Sequence, residues 1–174
     1  MSMHYTLFST RIGRCGLAWS DAGLVMICLP EAHDFIVEER LARRGARPQT
    51  APQTVATVVE RLQATLDGRR DSLLDVALDM RGVPAFHASV YETVRRIPWG
   101  ETRSYGEVAR HLLKPGAARA VGQAMARNPF PLVVPCHRVL AQGQRMGGFT
   151  AHGGCDTKMR LLEIEGCAQT LVRP

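Results

Sequence analysis

The order of apolar and polar positions divides the chain into two stretches of different character. Residues 4–9, 15–20 and 24–29 are short apolar, β-prone runs, the last two separated by the turn-like Asp21-Ala22-Gly23, and they predict an antiparallel meander. Over residues 34–44, Phe35, Val37 and Leu41 fall near helical spacing. Over 52–66, Val55, Val58, Val59, Leu62 and Leu66 share one face, so two amphipathic helices follow. Alternation over 74–80 predicts a return to the sheet with Asp75 and Asp79 facing solvent. This half reads as a small α/β unit.

Beyond Gly82 and Pro84 the period changes to that of helices. Phe86, Val90, Val94 and Ile97 recur every three or four residues until Pro98-Trp99-Gly100 breaks the pattern. Ser104 followed by Glu107 has capping-box spacing and predicts a helix over 105–113. Pro115 and Gly116 interrupt it, and 117–127 resumes with Val121, Ala124 and Met125, giving helix, four-residue turn and helix. The small residues Ala117, Ala118, Ala120, Gly122 and Ala124 would let this helix approach another surface closely. Asp156 is placed to cap a last helix over 157–165 that buries Met159, Leu161 and Leu162. The expected architecture is an α/β domain over 1–82 and a mostly helical domain with a helix-turn-helix over 83–174.

Composition sharpens that division. The 174 residues carry 22 Lys and Arg against 16 Asp and Glu. Residues 1–80 hold nine bases and ten acids, net −1, whereas 81–174 hold thirteen bases and six acids, net +7. A guanidinium-rich second half leans toward phosphate partners. The longest apolar stretches, 24–30 and 129–136, fall far short of the roughly 20 residues of a bilayer-spanning helix. The start lacks a basic segment followed by an apolar one, so a cytoplasmic location is expected. Five cysteines without a CxxC pair predict reduced thiols. The spacing of Cys15, Cys28 and His33 matches no familiar zinc pattern, and neither metal nor cofactor is expected.

The densest chemistry is Pro131-Leu132-Val133-Val134-Pro135-Cys136-His137-Arg138-Val139. A thiol becomes a nucleophile as its thiolate, which neighbouring cations favour. Adjacent side chains of an extended strand point opposite ways, so His137 would reach the sulfur only through a turn or a water, and would need a carboxylate to fix its tautomer. A buried, inert cysteine is the competing reading of these residues taken alone.

Residues 134–139 resemble the active-site signature of the O6-alkylguanine-DNA alkyltransferases. The likeness extends over Ile97-Pro98-Trp99-Gly100-Glu101-Thr102-Arg103-Ser104-Tyr105-Gly106-Glu107-Val108-Ala109, over Gly116 to Gly122, over Arg127-Asn128-Pro129, and over Lys158, Leu161, Leu162, Glu165 and Gly166. The resemblance implies a ribonuclease-H-like N-terminal α/β domain and repair of double-stranded DNA containing O6-alkylguanine. The alkyl group passes from O6 of guanine, or O4 of thymine, to Cys136 in one irreversible turnover. It further implies His137 as base through a water, Glu165 orienting His137, Asn128 bracing the turn, and Tyr105 donating to guanine N3. Arg119 would fill the stack left by the flipped nucleotide, with the 117–122 helix in the minor groove. Pro131, Val139, Phe149, Thr150 and Lys158 would surround the substrate. No cofactor and no obligate protein partner are implied, and a monomer is expected.

Phe149 replaces a common tyrosine of that family, the 150–156 stretch is about two residues longer, and Tyr91 and Met159 stand where tryptophan is common. Rival readings are a damage-recognition module without a reactive thiol, a cysteine hydrolase, and a transcriptional regulator. Cys136 opposes the first, the basic second half the second, and the short chain the third.

Overall fold

A computed structural model describes residues 2–167. Strands β1 (Met3–Thr10), β2 (Gly13–Ser20) and β3 (Gly23–Cys28) form the expected antiparallel meander, with Tyr5 opposite Ala18 and Leu17 opposite Ile27. At Gly23 the backbone has φ +139°, and a Cβ would stand 2.5 Å from the Ala77 carbonyl oxygen, so a side chain is excluded there. A further strand, β4 (Ala46–Pro48), pairs parallel with β1 and gives the order β3-β2-β1-β4.

One helix covers each face of this sheet. Helix α1 (Asp34–Ala42) buries Val37 and Leu41 against Tyr5, Ala18 and Cys28. Helix α2 (Gln53–Leu66) buries Val55, Leu62 and Leu66 against Phe8, Cys15, Leu17 and Ile27. The central strand β2 is therefore buried continuously from Cys15 to Trp19.

The expected strand over 74–80 does not form. Only Leu78 bridges to Leu24, through Leu24 N–H to Ala77 O (2.9 Å) and Asp79 N–H to Leu24 O (2.7 Å). The buried guanidinium of Arg95 gathers the carbonyls of Leu73, Leu74 and Val76 at 2.9–3.0 Å, which curls the segment into a turn. Asp75 is exposed as expected and pairs with Arg61. Asp79 is not: its carboxylate is buried, accepting from Ser20 Oγ (2.6 Å) and from Arg81.

The second half contains α3 (Ala85–Arg95), β5 (Arg103–Ser104), α4 (Tyr105–His111), α5 (Ala118–Ala126), β6 (Val139–Leu140) and α6 (Cys155–Ile164), with β5 parallel to β6. The capping box holds α4: Ser104 Oγ accepts from Glu107 N–H (3.1 Å) and Glu107 Oε2 from Ser104 N–H (2.6 Å). The connection from α4 to α5 spans six residues, 112–117, rather than four, because Leu112 and Leu113 have already left the helix, Leu113 at φ +58°. Val90, Tyr91 and Val94 of α3 pack on Ala109, Val121 and Ala124, and Tyr91 Oη donates to Ala124 O (3.0 Å). Helix α6 starts two residues earlier than expected. Gly154, at φ +50°, holds its N-cap position, and Asp156 lies within the first turn.

The two halves interlock. Leu132, Val133 and Leu161 complete the cluster formed by β2, β3 and α2, and Ile27 N–H of β3 donates to Pro129 O (2.8 Å). Among the described residues no helix is long and apolar enough to cross a membrane, and no cluster of His, Cys, Asp and Glu is arranged to hold a metal ion.

Candidate active site

The loop after α5 is shaped by Asn128. Its Oδ1 accepts from Phe130 N–H (2.9 Å), its Nδ2 donates to Val134 O (2.9 Å), and Val134 N–H closes on Phe130 O (2.8 Å). Phe130, Val133 and Val134 are wholly buried, and these anchors hold Leu132 at φ +74°, a conformation that costs a non-glycine residue energy. After Pro135 the chain enters a single turn of 3₁₀ helix, Cys136–Arg138, closed by Arg138 N–H to Pro135 O (2.9 Å). The extended-strand geometry that would separate Cys136 from His137 is thereby replaced by a turn.

Behind the thiol lies a buried ionic network. His137 Nε2 and Glu165 Oε1 are 2.7 Å apart, both side chains 3% exposed. Arg138 donates to the same carboxylate through Nε (2.9 Å) and Nη2 (2.9 Å), and through Nη1 to Ile97 O (2.6 Å). Gly100 N–H adds a longer bond of 3.3 Å to Glu165. Burial by itself would raise the Glu165 pKa, but the hydrogen bonds from His137 and Arg138 and the Arg138 charge outweigh it and take the group down to about 2. Burial lowers the His137 pKa despite the Glu165 carboxylate. A neutral imidazole beside an ionised carboxylate donates its Nε2 hydrogen to Glu165 and leaves the Nδ1 lone pair free. Nδ1 is buried and has no hydrogen-bond partner among the described residues.

Burial also pushes the Cys136 thiol up, against opposing effects of Asn128, Lys158 and the Cys136 and His137 amides. The resting group is a thiol, so a nucleophilic reaction here requires a base. Lys158 is fully buried, donates Nζ–H to Val139 O (2.7 Å), and is brought down to about 8 by burial, the Cys136 and Cys155 thiols opposing.

Cys136 opens on a cleft of about 260 Å³ whose walls include Tyr105, Gly122, Met125, Phe149 and Thr150. Burial raises the Tyr105 pKa, keeping its hydroxyl a hydrogen-bond donor. Its ring passes within 3.9 Å of where a Gly122 Cβ would stand. Pro131 and Asn128 border a smaller recess of about 70 Å³ that also reaches Cys136. Val139 and Lys158 are fully buried and line neither hollow. Arg119 is exposed on α5, while Ala117, Ala118 and Ala120 are half-buried along it.

The structure thus gathers Cys136, His137, Glu165, Asn128 and Tyr105, and keeps Arg119 apart on the surface. Arg138, treated in the sequence only as a cation beside Cys136, is the counter-ion of Glu165. Its partner stands 27 positions away, and the one signal for it was its place directly after the Cys-His pair.

Residues 85–167 match the family described as 6-O-methylguanine DNA methyltransferase, DNA binding domain. The methylated-DNA–protein-cysteine methyltransferase of Methanosarcina acetivorans is 36% identical over 170 residues, covering 94% of this chain and 99% of its own. That of Mycolicibacterium paratuberculosis is 45% identical over 114 residues, covering 66% and 67%. Among solved structures, Mycobacterium tuberculosis OGT in complex with DNA superposes with a TM-score of 0.77 at 35% identity, covering 96% of this chain and 95% of that one.

Proposed function

Because the chain belongs to the methylated-DNA–protein-cysteine methyltransferase family, we propose that it repairs O6-alkylguanine in duplex DNA by taking the alkyl group onto Cys136. The observation that carries this reading is the His137–Glu165 pair, whose unshared Nδ1 supplies the base that a buried thiol needs. The Cys136 proton passes through a water to His137 Nδ1 as sulfur attacks the alkyl carbon in line. The carbon–oxygen bond breaks, its electron pair returns to the purine, and the proton is delivered there, leaving guanine and an S-alkylcysteine. A thioether has no facile leaving reaction, so each molecule acts once. O4-alkylthymine offers the same alkyl-oxygen bond and is included in the proposal.

Glu165 and Arg138 are positioning residues that fix the imidazole tautomer, and Asn128 shapes the loop. Tyr105 stands in the cleft wall, where its hydroxyl would donate to guanine N3 and stabilise the leaving base. Phe149, Thr150 and Pro131 would border the extruded base, while Lys158 and Val139 would support the turn. Reaching O6 requires the nucleotide to leave the stack, at a cost of a few kcal/mol.

We assign α4 and α5 to a helix-turn-helix whose second helix, through Ala117, Ala118, Ala120 and Gly122, enters the minor groove. Arg119 would occupy the vacated stack. The basic charge of 83–174 suits that role, and the nearly neutral 1–82 is read as the ribonuclease-H-like unit, supported by its four-stranded sheet with a helix on each face.

Intact mass after incubation with duplex DNA containing O6-methylguanine tests the proposal. One methyl in place of the thiol hydrogen is expected at Cys136, one equivalent per chain, and none in Cys136→Ala. Unchanged mass, or continued turnover beyond one equivalent, would overturn it.

A further inference from the structure

A hollow of about 320 Å³ lies where the curled 70–74 segment meets the C-terminal end of α3, with Arg70, Leu74, Arg96, Pro98, Trp99 and Arg138 among its walls. Its lining has four arginines, these three and Arg95, against one carboxylate, Asp71, which Arg61 already holds through two hydrogen bonds of 2.7 and 2.8 Å. Arg95 is committed to backbone carbonyls and Arg138 to Glu165. Arg70 and Arg96 are exposed, and their guanidinium groups have no hydrogen-bond or ion-pair partner among the described residues. The same hollow has apolar walls. Leu74 is 48% exposed, one of three large hydrophobic side chains so placed among the described residues, and it lines the hollow together with Pro98 and Trp99.

Two unmatched cations flanking a concave apolar surface of tryptophan, proline and leucine have the composition of a binding hot spot with a charged rim. We propose that this hollow docks a short acidic segment of a partner protein, one bulky apolar side chain seated on Leu74 and Trp99 and flanking carboxylates on Arg70 and Arg96. A duplex backbone fits less well, because it is convex and offers nothing for the apolar walls. The hollow shares no lining residue with the cleft in front of Cys136, and Arg138, which holds Glu165 and also lines the hollow, is left unchanged in the test.

The test is fluorescence polarisation of a labelled synthetic peptide, four aspartates followed by leucine and phenylalanine, titrated with the full chain. Binding is expected to weaken about tenfold in Arg70→Glu/Arg96→Glu and to fall as salt rises. Leu74→Ser should weaken it without changing the charge. Both variants should keep the wild-type far-UV circular dichroism spectrum and a cooperative thermal transition, which verifies their fold, and the double-charge variant should gain affinity for the same peptide with lysines in place of aspartates. Undiminished binding by the double variant would overturn the proposal. So would equal binding of a peptide whose leucine and phenylalanine are replaced by serine, which would indicate charge attraction alone. Stoichiometric competition by undamaged duplex DNA would also overturn it, reassigning the surface to nucleic acid.

Discussion

Replacing Glu165 by Gln keeps the shape of the side chain and removes its charge, which isolates the electrostatic contribution of the buried network. In the folded chain Glu165 is 3% exposed at its side chain and titrates near 2, against an ordinary value of 4.5. At about 1.4 kcal/mol per pKa unit this corresponds to about 3 kcal/mol of stabilisation at neutral pH. Removing one partner of a buried pair independently suggests about 3–5 kcal/mol, because Arg138 would keep its charge without a counter-ion. Since the folded-state pKa is depressed, the stabilisation is fully present above pH 4.5 and is lost as pH falls toward 2. Chemical denaturation of wild type and Glu165→Gln should therefore differ by about 3 kcal/mol at pH 7, a melting-temperature gap of about 6–12 °C for a chain of this length. The gap should narrow progressively below pH 4.5. Alkyl transfer should slow by about 10²–10⁴ as the imidazole loses its orienting partner. A stability gap that stays constant from pH 7 to pH 3 would refute the electrostatic reasoning, whatever the effect on rate.

Further consequences can be checked in parallel. Because burial depresses the His137 pKa, the imidazole stays neutral below its ordinary 6.5, so the wild-type transfer rate should remain level through pH 6.5 and decline only in more acidic buffer. A fall centred at or above pH 6.5, measured by quenched-flow mass analysis, would contradict this. Asn128→Ala strips Phe130 N–H of its partner and leaves Val134 O only the Cys136 N–H, and should cost about 1–3 kcal/mol in urea titration and slow alkylation of Cys136. Ser104→Ala removes the cap of α4 and should cost about 1 kcal/mol with little effect on the intrinsic reactivity of the thiol. Arg119→Ala should weaken duplex binding and lower its salt dependence by about one counterion, while reaction of Cys136 with a small thiol reagent is unchanged.

Features carried by neighbouring residues were legible in the chain. The Ser104–Glu107 box forecast the start of α4, and the apolar spacing of 52–66 forecast α2. The Cys136-His137 pair marked the candidate site, which the structure forms as a 3₁₀ turn, because both members are adjacent in sequence. What escaped depends on distant partners. β4 is three residues long and includes Pro48, so it has no alternation to read, and its strand character comes only from pairing with β1. The apolar alternation of 74–80 mimicked a strand because nothing local announces that Arg95 will take the carbonyls of 73, 74 and 76. Likewise, Asp79 looked like a solvent-facing acid until Ser20 and Arg81 enclosed it.

The grip of Arg95 on the 73–76 turn bears on how the molecule comes apart. A guanidinium rooted in α3 satisfies three carbonyls of the preceding half, and Pro129 caps the edge of β3 in the opposite direction. Neither half can be withdrawn without stranding buried donors or acceptors of the other. Although charge and hydrophobic period divide the chain near Gly82, unfolding should be a single cooperative event. A fragment ending there would begin its folded life with an exposed sheet edge and an unsatisfied turn, and would be prone to associate through that edge.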